Sequence, residues 1–389
     1  MKETHAVVSL RGARRWQRGH PWIFRSDVAR EPAAPPGAVP VRDQQGRELG
    51  WALWSPASEI SLRLIDRDPD ATIDAAWWHA RLQRAFERRL PVAAHADAYR
   101  LVHGEGDGLP SLVVDRFGRW LVAQFLSAGV EAFRGEIVEA LHALSGAEGA
   151  LARNDAAVRS REGLERDVEP LWGEVPAEIA VHEHGIRFLA APHSGQKTGA
   201  FLDQRENRVL AGSVARGRAL DVFSYHGSFA LHLARRADTV VAVDSSAHAL
   251  ARAAENAVLN DLRNITLVEA DAFEYLRARE QAGDRFETIV LDPPAFAKNK
   301  PSLEGAVRGY REINLRAMRI LAPGGLLYTA SCSYHLTKDR FLEMLQEAAA
   351  DSGRRMVLRT ITGQPLDHPE VLTVPETGYL KGALLEAAD

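Results

Sequence analysis

The sequence predicts an α/β protein whose C-terminal part, from about residue 217, is a doubly wound, mostly parallel β-sheet. Three observations support this fold class. Strand patterns alternate with helical patterns, and the strand segments are almost continuously apolar, which is typical of buried parallel strands: RALDVFS, TVVAVDSS, ITLVEAD, ETIVLDPP and GLLYTASCS. Acidic residues lie in or at the ends of four of these strands, at the edge where ligands bind in such sheets.

The length of the chain predicts more than one domain. Its 389 residues exceed what one hydrophobic core usually supports, so we expect two or three domains. Residues 1–72 contain short alternating strands around a Pro-rich turn, which predicts a small β-rich domain. Residues 73–183 combine helical spacing with paired strands and predict a central α+β domain. Residues 184–389 then contain the doubly wound sheet.

Composition excludes several classes of protein. The single cysteine excludes an intrachain disulfide framework and a Cys-based zinc finger, and we predict no metal site. The formal net charge of −4 excludes a uniformly basic molecule, but one basic face could still bind RNA. The N-terminus lacks an apolar signal-peptide core, and no segment approaches the roughly 18 apolar residues of a membrane span. We therefore expect a cytoplasmic protein that does not enter a membrane.

The turn after the first strand of the sheet indicates the kind of cofactor. Asp244 ends the second strand about 20 residues after that turn, where it could bind the hydroxyls of a ribose. The turn, in DVFSYHGSFALHLA, contains only Gly227, whereas a dinucleotide pyrophosphate favours several glycines, so S-adenosylmethionine is favoured over NAD. Asp271 could accept from an adenine amino group, and Asp292 opens the stiff DPPAF turn. The alternative is that these acids are ordinary strand ends.

Two basic segments are candidates for contacts with nucleic acid. The N-terminal stretch RRWQRGHPWIF interleaves arginines with aromatic residues, which suits phosphates and unstacked bases. Its candidate RNA-binding residues are Arg14, Arg15, Arg18 and Trp22. After DPPAF, the candidates are Lys298, Lys300 and Arg308. The alternative is a solvated basic helix before a core strand in the first segment, and a solvated loop and helix face in the second.

These motifs together resemble a known family. DVFSYHGSFALHLA, VVAVDSS, ADAFEYL, IVLDPPAF and LLYTASCS resemble segments of class I methyltransferases. The resemblance narrows to bacterial 23S ribosomal RNA cytosine-5 methyltransferases through RRWQRGHPWIF, SPASEISLR, LVHGEGDGLPSLVVDRFG, NDAAVRSREGLE, GQKTGAFLDQREN, DHPE and PETGYLKG, and it covers nearly the whole chain. It implies an N-terminal PUA domain, a central α/β domain and a C-terminal Rossmann-like domain with a seven-stranded sheet.

The resemblance also implies a cofactor, partners and site residues. The cofactor would be S-adenosylmethionine, the partner 23S ribosomal RNA, free or within an assembling large subunit, and the protein a homodimer. The predicted cofactor-binding residues are Asp221, Ser224, Tyr225 and Gly227 on the methionine side, Asp244 and Ser245 at the ribose, Asp271 and Ala272 at the adenine, and Asp292 at the amino group or target base. Thr198, Phe201, Gln204 and Arg205 would close over the cofactor.

The only cysteine, Cys332, ends the fifth strand at the same edge as the acids. Carbon 5 of cytosine is a poor nucleophile, and a thiolate that adds to carbon 6 activates it. We therefore predict that Cys332 is the catalytic nucleophile, with Asp292 polarising the base or removing the proton. Many RNA cytosine-5 enzymes have a second cysteine where this chain has Ala295. Two alternatives stay open: a methyltransferase of another atom or RNA in which Cys332 is structural, and a non-catalytic RNA-binding ribosome assembly factor.

Overall fold

The computed structural model describes residues 4–297 and 300–389, which divide into two compact units. Unit 1 comprises Met1–Val181, Ala190–Leu202 and Leu366–Thr377, and unit 2 comprises His182–Leu189, Asp203–Pro365 and Gly378–Asp389. The predicted division into 1–72, 73–183 and 184–389 stays a prediction. It differs from the two units because segments 190–202 and 366–377 belong with unit 1 although they lie within the third predicted domain.

The first part of unit 1 is a six-stranded sheet in the order β2-β6-β5-β4-β1-β3. All of its pairs are antiparallel except β1 with β4. Its elements are β1 (Ala6–Val8), α1 (Leu10–Gln17), β2 (Trp22–Ile23), β3 (Val28–Arg30), β4 (Gly37–Asp43), β5 (Glu48–Trp54) and β6 (Leu62–Asp66). Helix α1 begins after Ser9, whose hydroxyl accepts from the amide of Gly12, and it buries Trp16 in the core of this sheet.

The second part of unit 1 is a five-stranded sheet in the order β11-β10-β9-β8-β7, packed with helices. Its elements are α2 (Ala75–Ala93), β7 (Ala98–His103), β8 (Leu112–Phe117), β9 (Trp120–Phe125), α3 (Ala128–Glu131), α4 (Arg134–Ser145), β10 (Gly149–Arg153), α5 (Val158–Arg161) and β11 (Val168–Trp172). Asp74 caps α2 by accepting from the amide of Trp77. The apolar residues at helical spacing in α2 bury Trp78 and Leu82 in the core.

Unit 2 is built on a seven-stranded sheet in the order β16-β15-β14-β17-β18-β20-β19. The five strands from β16 to β18 are parallel, and β20 is antiparallel to both of its neighbours. The predicted fold class is therefore confirmed. After a two-stranded sheet of β12 (Ile179–Glu183) and β13 (Ile186–Ala190), the elements are α6 (Arg205–Val214), β14 (Arg218–Val222), α7 (Ser228–Ala234), β15 (Thr239–Asp244), α8 (Ala247–Leu259), β16 (Ile265–Glu269), α9 (Ala272–Gln281), β17 (Phe286–Leu291), α10 (Leu303–Arg319), β18 (Leu321–Ser331), α11 (Lys338–Ser352), β19 (Met356–Thr362) and β20 (Lys381–Ala387).

The core of unit 2 explains why its strands are apolar on both faces. Helices α9, α10 and α11 contribute to one buried cluster against the sheet, and α6 and α7 contribute to the other. Central strands covered on both sides hold few polar side chains, because burying a polar group without a partner costs free energy. In the part of the chain that the structure describes, no helix is long and apolar enough to cross a membrane.

Candidate functional site

The register of unit 2 brings the predicted acids to one edge of the sheet. Val222 of the central strand β14 lies opposite Val243 of β15 on one side and Leu291 of β17 on the other. Asp221, Asp244 and Asp292 therefore lie at neighbouring strand ends. The carboxylates of Asp292 and Asp244 both raise the pKa of Asp221. These three predicted site residues form a single acidic cluster.

Asp221 is the innermost member of this cluster. Its side chain is fully buried, and one oxygen accepts from the amide of Ala230 in the first turn of α7 at 2.9 Å. Burial raises the pKa of Asp221 to about 8, and the neighbouring carboxylates of Asp292 and Asp244 act in the same direction. The second oxygen, Oδ1, has no hydrogen-bond partner among the described residues, and neither has the buried hydroxyl of Ser224.

These two buried groups are evidence for a ligand site. A buried polar atom without a partner costs free energy, so such atoms in native proteins usually bind a ligand or water. An acidic oxygen and a hydroxyl at the carboxyl edge of β14 suit a small molecule with an ammonium or sulfonium group. The residues present thus fit the methionine part of S-adenosylmethionine, and the contacts of Asp221 and Ser224 with it stay predictions.

The turn between β14 and α7 is held in an unusual conformation. Phe223 and Tyr225 have positive φ values of 67° and 49°, which side chains other than glycine rarely adopt. Gly227 follows at 75°, and a Cβ there would lie 3.0 Å from the Cβ of Ala253. A side chain at 227 would therefore be strained on two grounds. The backbone of this turn lies beside Asp221, in the position predicted for close approach to a ligand.

Asp244 is oriented by its own backbone neighbours. One carboxylate oxygen accepts from the amide of Tyr225 at 2.8 Å and the other from the amide of Ser246 at 2.9 Å. Each oxygen keeps a further lone pair, so the half-buried carboxylate can accept from two vicinal hydroxyls. Ser245 beside it is exposed. This arrangement supports the predicted ribose contact, which stays a prediction.

Asp271 has a structural task in addition to its predicted one. It is the N-cap of α9, where one oxygen accepts from the amide of Glu274 at 3.0 Å, and the residue is exposed. Ala272 is buried at the start of the same helix. An aspartate at this position would be expected for capping alone, so its adenine contact stays a prediction.

A buried chain of amides leads to Asp292. The side-chain amide nitrogen of Gln204 donates to a carboxylate oxygen of Asp292 at 2.7 Å. The amide oxygen of Gln204 accepts from the amide nitrogen of Asn207 at 2.6 Å, and Asn207 also donates to the carbonyl of Gly363 at 3.0 Å. Because Asn207 fixes which end of the Gln204 amide faces Asp292, Asp292 is held as an acceptor. The sequence singled out Gln204 but missed Asn207.

Cys332 directly follows β18, which pairs with the strand β17 that precedes Asp292, and it is partly exposed. The flanking Ser331 and Ser333 are fully buried. The Ser333 hydroxyl lies 2.9 Å from the hydroxyl of Tyr310 in α10 and accepts from the amide of Ala297 at 3.2 Å. The two residues that flank Cys332 are therefore buried, and hydrogen bonds hold Ser333 in place.

Tyr310 links this loop to the DPPAF turn, a connection that the sequence did not reveal. Its hydroxyl also accepts from the amide of Phe296 at 3.3 Å, and the two rings lie 4.6 Å apart. Burial raises the pKa of Tyr310, and a negative charge on Cys332 would raise it further. The thiol and the tyrosine hydroxyl are thus close enough to interact electrostatically.

The segment predicted to close over the cofactor divides between the two units. Thr198 and Phe201 belong to unit 1, where the Thr198 hydroxyl donates to Asp115 and the ammonium of Lys197 lies 4.7 Å from the Phe201 ring. Gln204 and Arg205 belong to unit 2, and Arg205 is buried and paired with Glu206. Contacts of Thr198, Phe201 and Arg205 with a cofactor stay predictions.

The predicted RNA-binding residues lie at the surface to different degrees. Arg14 and Arg18 are exposed, whereas the guanidinium of Arg15 lies 4.6 Å over the ring of Phe24. The indole nitrogen of Trp22 donates to the carboxylate of Glu105 at 2.9 Å, and this hydrogen bond fixes one edge of the Trp22 ring.

Of the second group, Arg308 is exposed on α10. Lys298 lies outside the described residues, and Lys300 begins a short 3-10 helix, Lys300–Ser302. Among the described residues, no group of three or more His, Cys, Asp or Glu side chains could hold a metal ion.

The fold and the acidic cluster define a class I S-adenosylmethionine-dependent methyltransferase. Comparison with family models agrees: residues 7–67 match a PUA-like domain, and residues 99–381 match S-adenosylmethionine-dependent methyltransferases. The chain is 43% identical over 374 residues to "Ribosomal RNA large subunit methyltransferase I" of Cronobacter sakazakii, and 42% identical to the protein of that name from Escherichia coli K12. Each comparison covers 94% of both chains. The chain therefore belongs to the family of S-adenosylmethionine-dependent methyltransferases that includes these relatives, and its cofactor is S-adenosylmethionine.

Solved structures show the same fold at lower identity. A protein from Streptococcus mutans assigned as a SAM-dependent methyltransferase is 22% identical, with a TM-score of 0.83 over 98% of this chain and 100% of that chain. Another structure, of a protein designated a methyltransferase and complexed with SAH, gives a TM-score of 0.85 at 22% identity and the same coverage. At this identity the likeness concerns the fold alone.

Proposed function

We propose that this protein methylates carbon 5 of a cytosine in 23S ribosomal RNA, through a covalent bond between Cys332 and carbon 6. The observation that carries the proposal is the position of the only cysteine: Cys332 is partly exposed at the end of β18, beside the strand end of Asp292 and the acidic cluster. The names of the relatives support ribosomal RNA of the large subunit as the substrate.

The chemistry assigns one task to each of the chain's residues. Bound S-adenosylmethionine supplies an electrophilic methyl group. The Cys332 thiolate adds to carbon 6 of cytosine, and the electron pair of the 5,6 double bond makes carbon 5 nucleophilic. After carbon 5 is methylated, Asp292 or a water removes its proton, the double bond re-forms, and the thiolate leaves with its electron pair. Asp221 and Ser224 would hold the methionine part of the donor, and Asp244 its ribose.

RNA has to be held while a single base enters the site. The target base must leave its stack to reach the strand ends, because a stacked base hides carbons 5 and 6. The exposed Arg14 and Arg18 suit the phosphates of flanking nucleotides. The PUA-like domain, in which they lie, is the part of the chain we expect to bind RNA outside the target nucleotide.

The test is methyl transfer by Cys332→Ala on ribosomal RNA from cells that lack the enzyme, with nucleosides identified by mass spectrometry. We expect 5-methylcytidine from the wild type and a loss of at least about 100-fold in the variant. Calorimetry should show unchanged affinity for S-adenosylmethionine. Tyr334→Phe, an exposed position on the same loop, is the matched control and should keep full activity.

Each other outcome selects an alternative. Full activity of Cys332→Ala would leave a methyltransferase of another atom or RNA with a structural cysteine. Absence of binding of S-adenosylmethionine by the wild type would favour an RNA-binding assembly factor. We also propose a cytoplasmic homodimer, and light scattering of the purified protein tests its oligomeric state.

A further inference from the structure

A buried lysine lies against the loop that carries Cys332. Lys381 begins β20 and lies opposite Ser331 in the antiparallel pairing with β18. Its side chain is 2% exposed, and its ammonium donates to the carbonyl of Ser333 at 2.6 Å. The strand pairing and the hydrogen bond thus hold both residues that flank Cys332.

The position of this ammonium bears on the ionisation of the thiol. A buried positive charge is strongly favoured by a nearby anion, because little water screens the interaction. The thiolate of Cys332 is one residue from the carbonyl that Lys381 holds. A lysine beside a cysteine lowers the pH at which the thiol gives its proton to solvent.

Other charged and titratable groups face the same loop. Tyr310 reaches it from α10, and its hydroxyl interacts with Ser333 and with the charge of Cys332. Asp292 directly follows the neighbouring strand β17, and a negative charge near a thiol disfavours the thiolate. Tyr334 and His335 follow on the loop itself. Among these described groups, Lys381 is the buried cation that can offset Asp292.

We propose that Lys381 is a positioning residue that fixes the Cys332 loop and favours the thiolate form of Cys332. The functional meaning of this inference rests on the proposed role of Cys332 as nucleophile. Its test does not, because the chain has a single cysteine, so that thiol chemistry of the whole protein reports on this position alone.

The experiment measures the rate of alkylation of the full-length protein by iodoacetamide as a function of pH, with the adduct located by mass spectrometry. The proteins are the wild type, Lys381→Met, Lys381→Arg and the control Lys338→Met, which removes an exposed lysine on α11. An elementary charge about 6–10 Å from a thiol, at an effective dielectric constant of about 20, changes the pH midpoint of its ionisation by on the order of one pH unit.

We expect the midpoint to rise by about one unit in Lys381→Met, so that alkylation at pH 7 slows about tenfold. Lys381→Arg keeps a positive charge, so its midpoint should stay close to that of the wild type. Lys338→Met should behave as the wild type. A purely structural lysine would leave the midpoint unchanged, which would overturn the proposal. Circular dichroism and binding of S-adenosylmethionine show whether each variant is folded.

The wild type alone provides a second criterion if Lys381→Met does not fold. A wild-type midpoint at or above about 8.5, the ordinary value for a cysteine, contradicts the proposal without any variant. The two ideas also fail separately. If Cys332→Ala methylates RNA while Lys381 controls the midpoint, the proposed mechanism fails and this inference stands.

Discussion

The buried acid Asp221 makes a sharp prediction about stability against pH. Its folded-state pKa of about 8 lies well above the ordinary value of 3.8 for an aspartate, so the folded protein holds a proton that the unfolded chain releases. The stability that this proton contributes is fully present below pH 4 and is lost as the pH rises towards 8. The variant Asp221→Asn keeps the shape of the side chain and removes the titration.

The magnitude follows from the width of that pH window. Between the two pKa values the folded state binds one more proton than the unfolded state, so the free energy of unfolding falls by about 1.4 kcal/mol per pH unit from this group. Over the three units from pH 5 to pH 8, this gives about 4 kcal/mol as an upper value, because the structure can relax around the charge. Groups outside the acidic cluster titrate equally in both proteins, so the difference between wild type and variant reports on Asp221 together with its coupling to Asp244 and Asp292.

The assay has to report on unit 2. All eight tryptophans lie before residue 173, within unit 1, so tryptophan fluorescence follows unit 1 and serves as an internal reference. Guanidinium unfolding is therefore followed by far-ultraviolet circular dichroism at pH 5, 6, 7 and 8, without cofactor. We expect Asp221→Asn to gain stability over the wild type as the pH rises, and the control Asp339→Asn, at an exposed position, to follow the wild type. A constant difference between wild type and Asp221→Asn across this range would refute the reasoning.

Three further predictions concern the turn, the amide chain and the basic surface. Gly227→Ala should cost about 1–2 kcal/mol of stability and weaken binding of S-adenosylmethionine, because φ is positive and the new Cβ would crowd Ala253. Both effects are measured by thermal shift, and an unchanged melting temperature would contradict this. Asn207→Leu should lower turnover about tenfold with the protein still folded, because the Gln204 side chain loses the donor that holds it against Asp292. Wild-type turnover would exclude the orienting role. The double variant Arg14→Ala/Arg18→Ala should make the logarithm of the RNA-binding constant depend less steeply on the logarithm of the salt concentration, by the equivalent of up to about two phosphate contacts. Cofactor affinity should be unchanged. An identical slope would place the RNA elsewhere.

The acidic cluster could be predicted from the sequence because its geometry follows from parallel strands. Four of the five apolar strand segments end near an aspartate, and parallel strands of one sheet end at one edge, so Asp221, Asp244 and Asp292 are expected to lie close together. Cys332 follows the same rule at the end of β18. Periodicity alone was enough for this part of the site.

The residues around Cys332 could not be found in this way. Tyr310 lies within a helix and Lys381 begins an antiparallel strand, and each reaches Ser333 only through tertiary packing. The same limit applies to Asn207, which acts through Gln204. Nor could local patterns show that segment 366–377 belongs with unit 1, where Asp367 accepts from the backbone amide of Arg100. Such contacts join residues far apart in sequence, and no spacing rule encodes them.

The most direct test of the proposed mechanism is to trap the bond between Cys332 and carbon 6. RNA containing 5-fluorocytosine presents fluorine where the normal substrate has the proton that must leave, so the thiolate cannot be expelled after methylation. With S-adenosylmethionine, we predict a covalent protein–RNA complex in which mass spectrometry locates the nucleotide on Cys332. Cys332→Ala should form no complex, and neither should the wild type without the methyl donor. Formation of 5-methylcytidine on normal RNA without a trapped complex on the fluorinated RNA would contradict the account.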